Sequence, residues 1–127
     1  MSPAGANPAP KESVLQAQTA GLLREHCLPS WKWTHFPAGE ARSAITGARL
    51  KRFGLNRGWP DFILLSPEPV RIHFLELKRL NAPFTGTQRE FAAWCGSNAV
   101  PYETARTVGQ VLSALGKWGC LRVAAAL

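Results

Sequence analysis

At 127 residues the chain has the length of one domain, and 46% apolar with 18% charged residues is an ordinary globular mixture. Fifteen Lys and Arg against eight Asp and Glu give a net charge of +7, a balance that suits a polyanionic partner, nucleic acid first. No apolar run approaches the ~18–20 residues that span a membrane. Cys27, Cys95 and Cys120 lack the pairing of a zinc site and the even number of a disulfide framework, so reduced thiols in a cytosolic protein are expected.

Residues 1–10 are rich in Pro and Ala without the basic-then-apolar pattern of a signal peptide, and are read as a disordered leader before a single domain over 11–127. Glu12 to Cys27 is predicted as a helix with Val14, Leu15, Ala20, Leu22 and Leu23 on its apolar side, stopped by Pro29. Trp31 to Phe36 alternates bulky and polar residues, as a strand does. From Ala41 to Pro60 there is no acid at all, but Arg42, Arg49, Lys51, Arg52 and Arg57 are present, with a short helix expected over Ser43–Arg52. Phe62 to Leu65 is an unbroken apolar strand of the kind buried on both faces. Ser66 to Pro69 is a turn and Val70 to Lys78 the next strand. After a loop over Leu80–Gly86, Thr85 or Thr87 caps a helix running to about Cys95, with Phe91, Ala92 and Trp94 turned inward. Val100 to Thr104 is a short strand, Thr107 to Trp118 a last helix stopped by Gly119, and Leu121 to Leu127 either a strand or an apolar tail.

The chain holds one aspartate, Asp61, in Gly58-Trp59-Pro60-Asp61 at the mouth of an apolar strand. The following strand carries Glu76 and Lys78 within Phe74-Leu75-Glu76-Leu77-Lys78. Side chains two apart on a strand share a face, so Glu76 and Lys78 project together while Leu75 and Leu77 point into the core. If the two strands are neighbours, the three charges meet. Two carboxylates suit a hard divalent cation, and a cation-bearing side chain beside them suits a water or a phosphate. Buried acids are rare unless paired or metal-bound. The bland alternatives are a turn-forming Asp61 and a surface ion pair of Glu76 with Lys78; neither accounts for all three residues.

Pro60-Asp61 followed by Glu76-x-Lys78 resembles the PD-(D/E)xK nuclease superfamily. With Thr87-Gln88-Arg89-Glu90-Phe91 downstream and Glu12-x-x-x-Gln16 upstream, it is similar to the VRR-NUC branch, the virus-type replication-repair nucleases, over about Glu12 to Trp118. The resemblance implies an α/β fold with a restriction-endonuclease-like core, a central mixed sheet flanked by helices. It further implies an Mg²⁺-dependent site, with Mn²⁺ able to substitute, in which Asp61, Glu76 and the backbone carbonyl of Leu77 bind metal. Glu12 would support the metal or water shell, with Glu25 as rival, and Gln88 would touch the site water or a phosphate or else serve as a helix cap. Lys78 would act on the water or the phosphate.

Arg49, Lys51, Arg52 and Arg57 lie on the chain's approach to Asp61 and are candidates for phosphate contacts. His26, His35 and His73 have no ligand spacing and are read as structural; of the five tryptophans, Trp59 is the one placed to stack on a base. Forms of the family that consist of the nuclease domain alone resemble bacterial and phage enzymes that cut branched DNA such as four-way (Holliday) junctions. Paired cuts need two sites, so a homodimer is expected, with Val108, Leu112, Leu115 or the tail from Leu121 to Leu127 either at its contact or packed in the core. The rivals are a flap, nick, RNA-processing or restriction nuclease of the same chemistry, and a basic DNA-binding module without catalysis.

Overall fold

The computed structural model describes residues 11–37 and 44–122. The leader, Arg42, Ser43 and the end of the tail from residue 123 lie outside the described residues. In order, the elements are α1 (Lys11–His26), β1 (Lys32–His35), α2 (Ala44–Arg52), β2 (Phe62–Ser66), β3 (Arg71–Leu77), α3 (Gly86–Ser97), β4 (Tyr102–Ala105) and α4 (Val108–Trp118). The four strands form one mixed sheet in chain order, with β1–β2 and β2–β3 antiparallel and β3–β4 parallel. None of the described helices is long and apolar enough to cross a membrane.

Alternation along the strands gives the sheet two unlike faces. One carries Phe62 and Leu64 from β2, Leu75 and Leu77 from β3 and Ala105 from β4, all fully buried beneath α1 and α4. Leu15, Thr19 and Leu23 follow one another at four-residue steps on α1 and close over this face. The buried Thr19 hydroxyl is satisfied by donating to the Leu15 carbonyl at 2.8 Å. From α4 come Val111, Ala114 and Leu115. That helix is capped at its start by Thr107, whose hydroxyl accepts from Gln110 N, and at its end by Gly119 in the left-handed conformation at φ 77°. Each fully buried Leu or Phe contributes about 1.5–3 kcal/mol. Leu28 N donates to Cys120 O and Arg122 N to His26 O, which ties the end of α1 to the chain after α4. This brings the Cys27 and Cys120 thiols into hydrogen-bonding contact.

The other face is only half covered, by α3 over β3 and β4. Two sequence expectations change as a result. Phe62 to Leu65 is not buried on both faces: Ile63 and Leu65 remain half-buried, and Ile72 across from Leu65 is exposed. On α3 it is Cys95 that is fully buried, while Trp94 is 57% exposed, because the helix meets the sheet along a narrow stripe. Of the α4 residues for which a dimer contact and core packing were both open, Leu115 is core, while Val108 and Leu112 pack against that core and stay partly exposed.

Candidate active site

The register of β2 on β3 pairs Phe62 with Leu75. Extended by one residue, it sets Asp61 opposite Glu76, on the half-covered face. Asp61 is held through both its backbone and its side chain. Its carbonyl accepts from Phe36 N at 2.7 Å and from His35 Nδ1 at 2.8 Å. Its Oδ2 accepts from Leu77 N at 2.7 Å. Since a carbonyl can only accept, His35 carries its proton on Nδ1, and its Nε2 accepts from Gln16 Nε2 at 2.9 Å. The helix residue one turn after Glu12 is thereby linked to the backbone of Asp61.

Glu76 is 2% exposed, and Asp61 and Lys78 are 7% exposed each. Gln88 joins them. Its Nε2 donates to Glu76 Oε2 at 3.0 Å, and its Oε1 accepts from Lys78 Nζ at 2.9 Å and from Thr85 N at 2.9 Å. Thr85 Oγ1 accepts from Gln88 N in return, completing a capping box at the start of α3. Gln88 is therefore a helix cap and a site residue at once. The loop before Asp61 is fixed against the same helix start. Gly58 sits at φ 88°, and a Cβ there would stand 2.7 Å from the backbone of Thr87, so only glycine fits.

Two carboxylates this close and this buried resist carrying two charges. Burial first, then the charge of Asp61, pushes Glu76 up to about 9 despite Lys78 nearby. Burial pushes Asp61 up to about 6, against the Leu77 N–H bond that favours its charge. The pair behaves as one unit that keeps a proton. Glu12, in the first turn of α1, is near enough for its charge to raise both.

Such a pair, short of positive charge and made of hard oxygens, fits a divalent cation. The described residues contain no cluster of three or more His, Cys, Asp and Glu side chains arranged for a metal. The donor set is two carboxylates with backbone, which suits a hard divalent cation that takes oxygen ligands.

The remaining candidates are spread more widely. Glu25 is exposed at the far end of α1, 3.4 Å from His26. Arg49, Lys51 and Arg52 occupy the last turn of α2, where cations suit the helix dipole, and Arg57 follows in the loop; all four are exposed. Trp59 stands against Phe36, Phe74 and Phe91, with ring centroids 5.5, 6.0 and 4.8 Å away, and walls the site. Sequence reasoning read His35 as structural, without its bond to the Asp61 carbonyl. The signal was its place on the core-facing side of β1, where a polar ring needs partners.

This sheet, with its helices and its acid pair at the β2–β3 junction, is a restriction-endonuclease-like core. A solved structure described as "VRR_NUC domain protein" superposes on the chain with a TM-score of 0.65 at 17% identity, covering 88% of this chain and 90% of that one. The chain thus has the fold of a VRR-NUC domain. No family model matches the sequence, and no curated protein matches it.

Proposed function

We propose that this chain is a divalent-metal-dependent endodeoxyribonuclease that hydrolyses phosphodiester bonds in branched DNA, four-way junctions included. The observation that carries the proposal is that Asp61, held by the Leu77 N–H, lies on one half-open sheet face with Glu76 and Lys78, which Gln88 joins to each other. The shared fold supports it.

Asp61 and Glu76 would hold Mg²⁺ or Mn²⁺, with the Leu77 carbonyl and Glu12 completing the surroundings. When bound, the cation supplies Lewis acidity, lowering the pKa of a water and offsetting charge on the phosphate. The Leu77 N–H fixes the Asp61 carboxylate, and Gln88 fixes that of Glu76, so neither has to reorganise as substrate arrives. Lys78, steadied by Gln88, orients the attacking water or binds a non-bridging oxygen of the scissile phosphate. Water adds to phosphorus, the P–O bond to the leaving nucleoside breaks, and a proton passes to that leaving oxygen. Arg49, Lys51, Arg52 and Arg57 bind flanking phosphates.

One chain supplies one site. Paired cuts at a junction require two, and we propose a C2 homodimer, bacterial or phage-encoded, working in the cytoplasm. Leu115 is core, so of the α4 candidates only the partly exposed Val108 and Leu112 are left for its contact. The test is cleavage of end-labelled four-way, flap, nicked and linear DNA with and without Mg²⁺, beside sedimentation of the protein. Metal-dependent cutting of the four-way junction in symmetric pairs by a dimer is expected. Cutting confined to flaps or nicks by a monomer would replace the junction reading with a general repair nuclease.

A further inference from the structure

The basic segment ends in an aromatic residue that the core does not use. Phe53, directly after α2, is 71% exposed, and Ile45 at the start of the same helix is 81% exposed. Ile45, Arg49 and Arg52 follow at spacings of four and three and so share a helix face that ends at Phe53. The Arg52 guanidinium stands over the Phe53 ring, 5.8 Å from its centre. Phe53 does not sit on a loose end. Its N–H donates to Arg49 O and Leu50 O, Gly54 N donates to Lys51 O, and Leu55 N donates to Leu50 O. A rigid turn therefore presents the ring to solvent, which lowers the entropic cost of using it.

We propose that Phe53 stacks on an unpaired base of the DNA, at a branch point or in a single strand, while Arg49, Lys51 and Arg52 hold the adjoining phosphates. This deepens the nuclease reading and rests on it. Charge complementarity selects the partner: the segment is cationic and acid-free from residue 41 to residue 60, and a base offers a ring its flat face whatever the sequence. Geometry links the ring to the site. Phe53 is eight residues from Asp61, so the two lie within about 28 Å, roughly eight nucleotides along a strand. At Gly58 the intervening loop is pressed against Thr87, next to Gln88. Trp59, the other candidate for stacking, has its ring engaged by Phe36, Phe74 and Phe91.

The test is metal-free binding in chelator, which does not depend on whether the chain cuts DNA. Wild type, Phe53→Ala and Phe53→Trp are titrated with single-stranded, flap, four-way and blunt duplex DNA, with 2-aminopurine at the branch or within the single strand. Phe53→Ala should weaken binding to the DNAs with an unpaired base by about 5- to 150-fold and remove the 2-aminopurine quench. Blunt-duplex affinity and the salt slope should be unchanged, and Phe53→Trp should retain both binding and quench. Arg49→Ala should instead weaken all the DNAs alike and lower the salt slope by about one unit. Equal losses on blunt and branched DNA, or none, would overturn the proposal. So would a change of oligomeric state on Phe53→Ala, which would make the ring a protein contact, or Phe53-dependent binding to vesicles of anionic lipid, which would make the helix a membrane one.

Discussion

The two faces of the sheet are built on opposite rules. Beneath α1 and α4, Phe62, Leu64, Leu75 and Leu77 exclude water completely, and every one contributes to stability. On the other face, one position along the same strands, Asp61 and Glu76 are almost as buried but hold charge in a place that resists it. The first face stabilises the fold; the second costs it stability and holds the acid pair for which a cation site is proposed. The hydrophobic pairs fix the register, and the register places the acids. A slip of one residue would turn Asp61 and Glu76 into the core and Phe62 and Leu75 out of it.

Substitutions should separate the two faces cleanly. The largest effect is expected from Asp61→Asn: a loss of cleavage on the order of 10³-fold, with DNA binding and folding retained. Single-turnover kinetics and binding in parallel check this; equal loss of binding would make Asp61 a folding residue. On the closed face, Leu75→Ala should lower the unfolding free energy by about 2–5 kcal/mol, measured by denaturant titration, while the fraction still folded keeps its cleavage rate. Gln88→Ala falls between the classes. It frees both Glu76 and Lys78 from their shared partner and removes half of the capping box. A fall in kcat of about 10- to 100-fold is expected, with a stability loss near 1 kcal/mol. An unchanged kcat would reduce Gln88 to a cap.

Much of this was legible in the sequence because it rests on period and punctuation. The alternation around Glu76 put Leu75 and Leu77 in the core and Glu76 with Lys78 on the other side, and Pro29, Thr107 and Gly119 marked helix ends that the structure keeps within a residue or two. What was not legible depends on how elements lie across one another. Whether the second face of β2 was covered depended on where α3 came to rest. Which apolar residues of α4 were core depended on α1. The bond from His35 to the Asp61 carbonyl depends on the β1–β2 register, which no local pattern states. Gln88 was ambiguous from sequence because one amide serves both places: its Oε1 accepts from Thr85 N in the cap and from Lys78 Nζ, while its Nε2 donates to Glu76.

The smallest effect, and the sharpest probe of the open face, is the response of stability to pH in chelator. Glu76 is raised to about 9 in the fold and titrates in the ordinary carboxylate range once unfolded. Between those values the native chain binds a proton that the unfolded chain does not, so stability falls as pH rises, by at most about 1.4 kcal/mol per pH unit. Asp61, raised to about 6, gives the same sign at lower pH. His73 acts in the opposite direction there, because its burial between Trp31 and Trp118 depresses its pKa. From pH 7 to about pH 8 the Glu76 contribution leads; toward pH 9 the thiols of Cys27, Cys95 and Cys120, all raised by burial, add a decline of the same sign as their unfolded counterparts begin to ionise, and Glu76→Gln separates the two. Thermal unfolding should therefore show a Tm that declines from pH 7 to pH 9. Glu76→Gln, which carries no charge to bury, should flatten the decline and raise the Tm at pH 9. Millimolar Mg²⁺ should raise the wild-type Tm most at pH 9, where the pair holds the fewest protons in this range, and should do less for Glu76→Gln. A wild-type Tm that was level from pH 7 to pH 9 and indifferent to Mg²⁺ would mean that the open face carries no stored charge, and the contrast between the two faces would be one of packing alone.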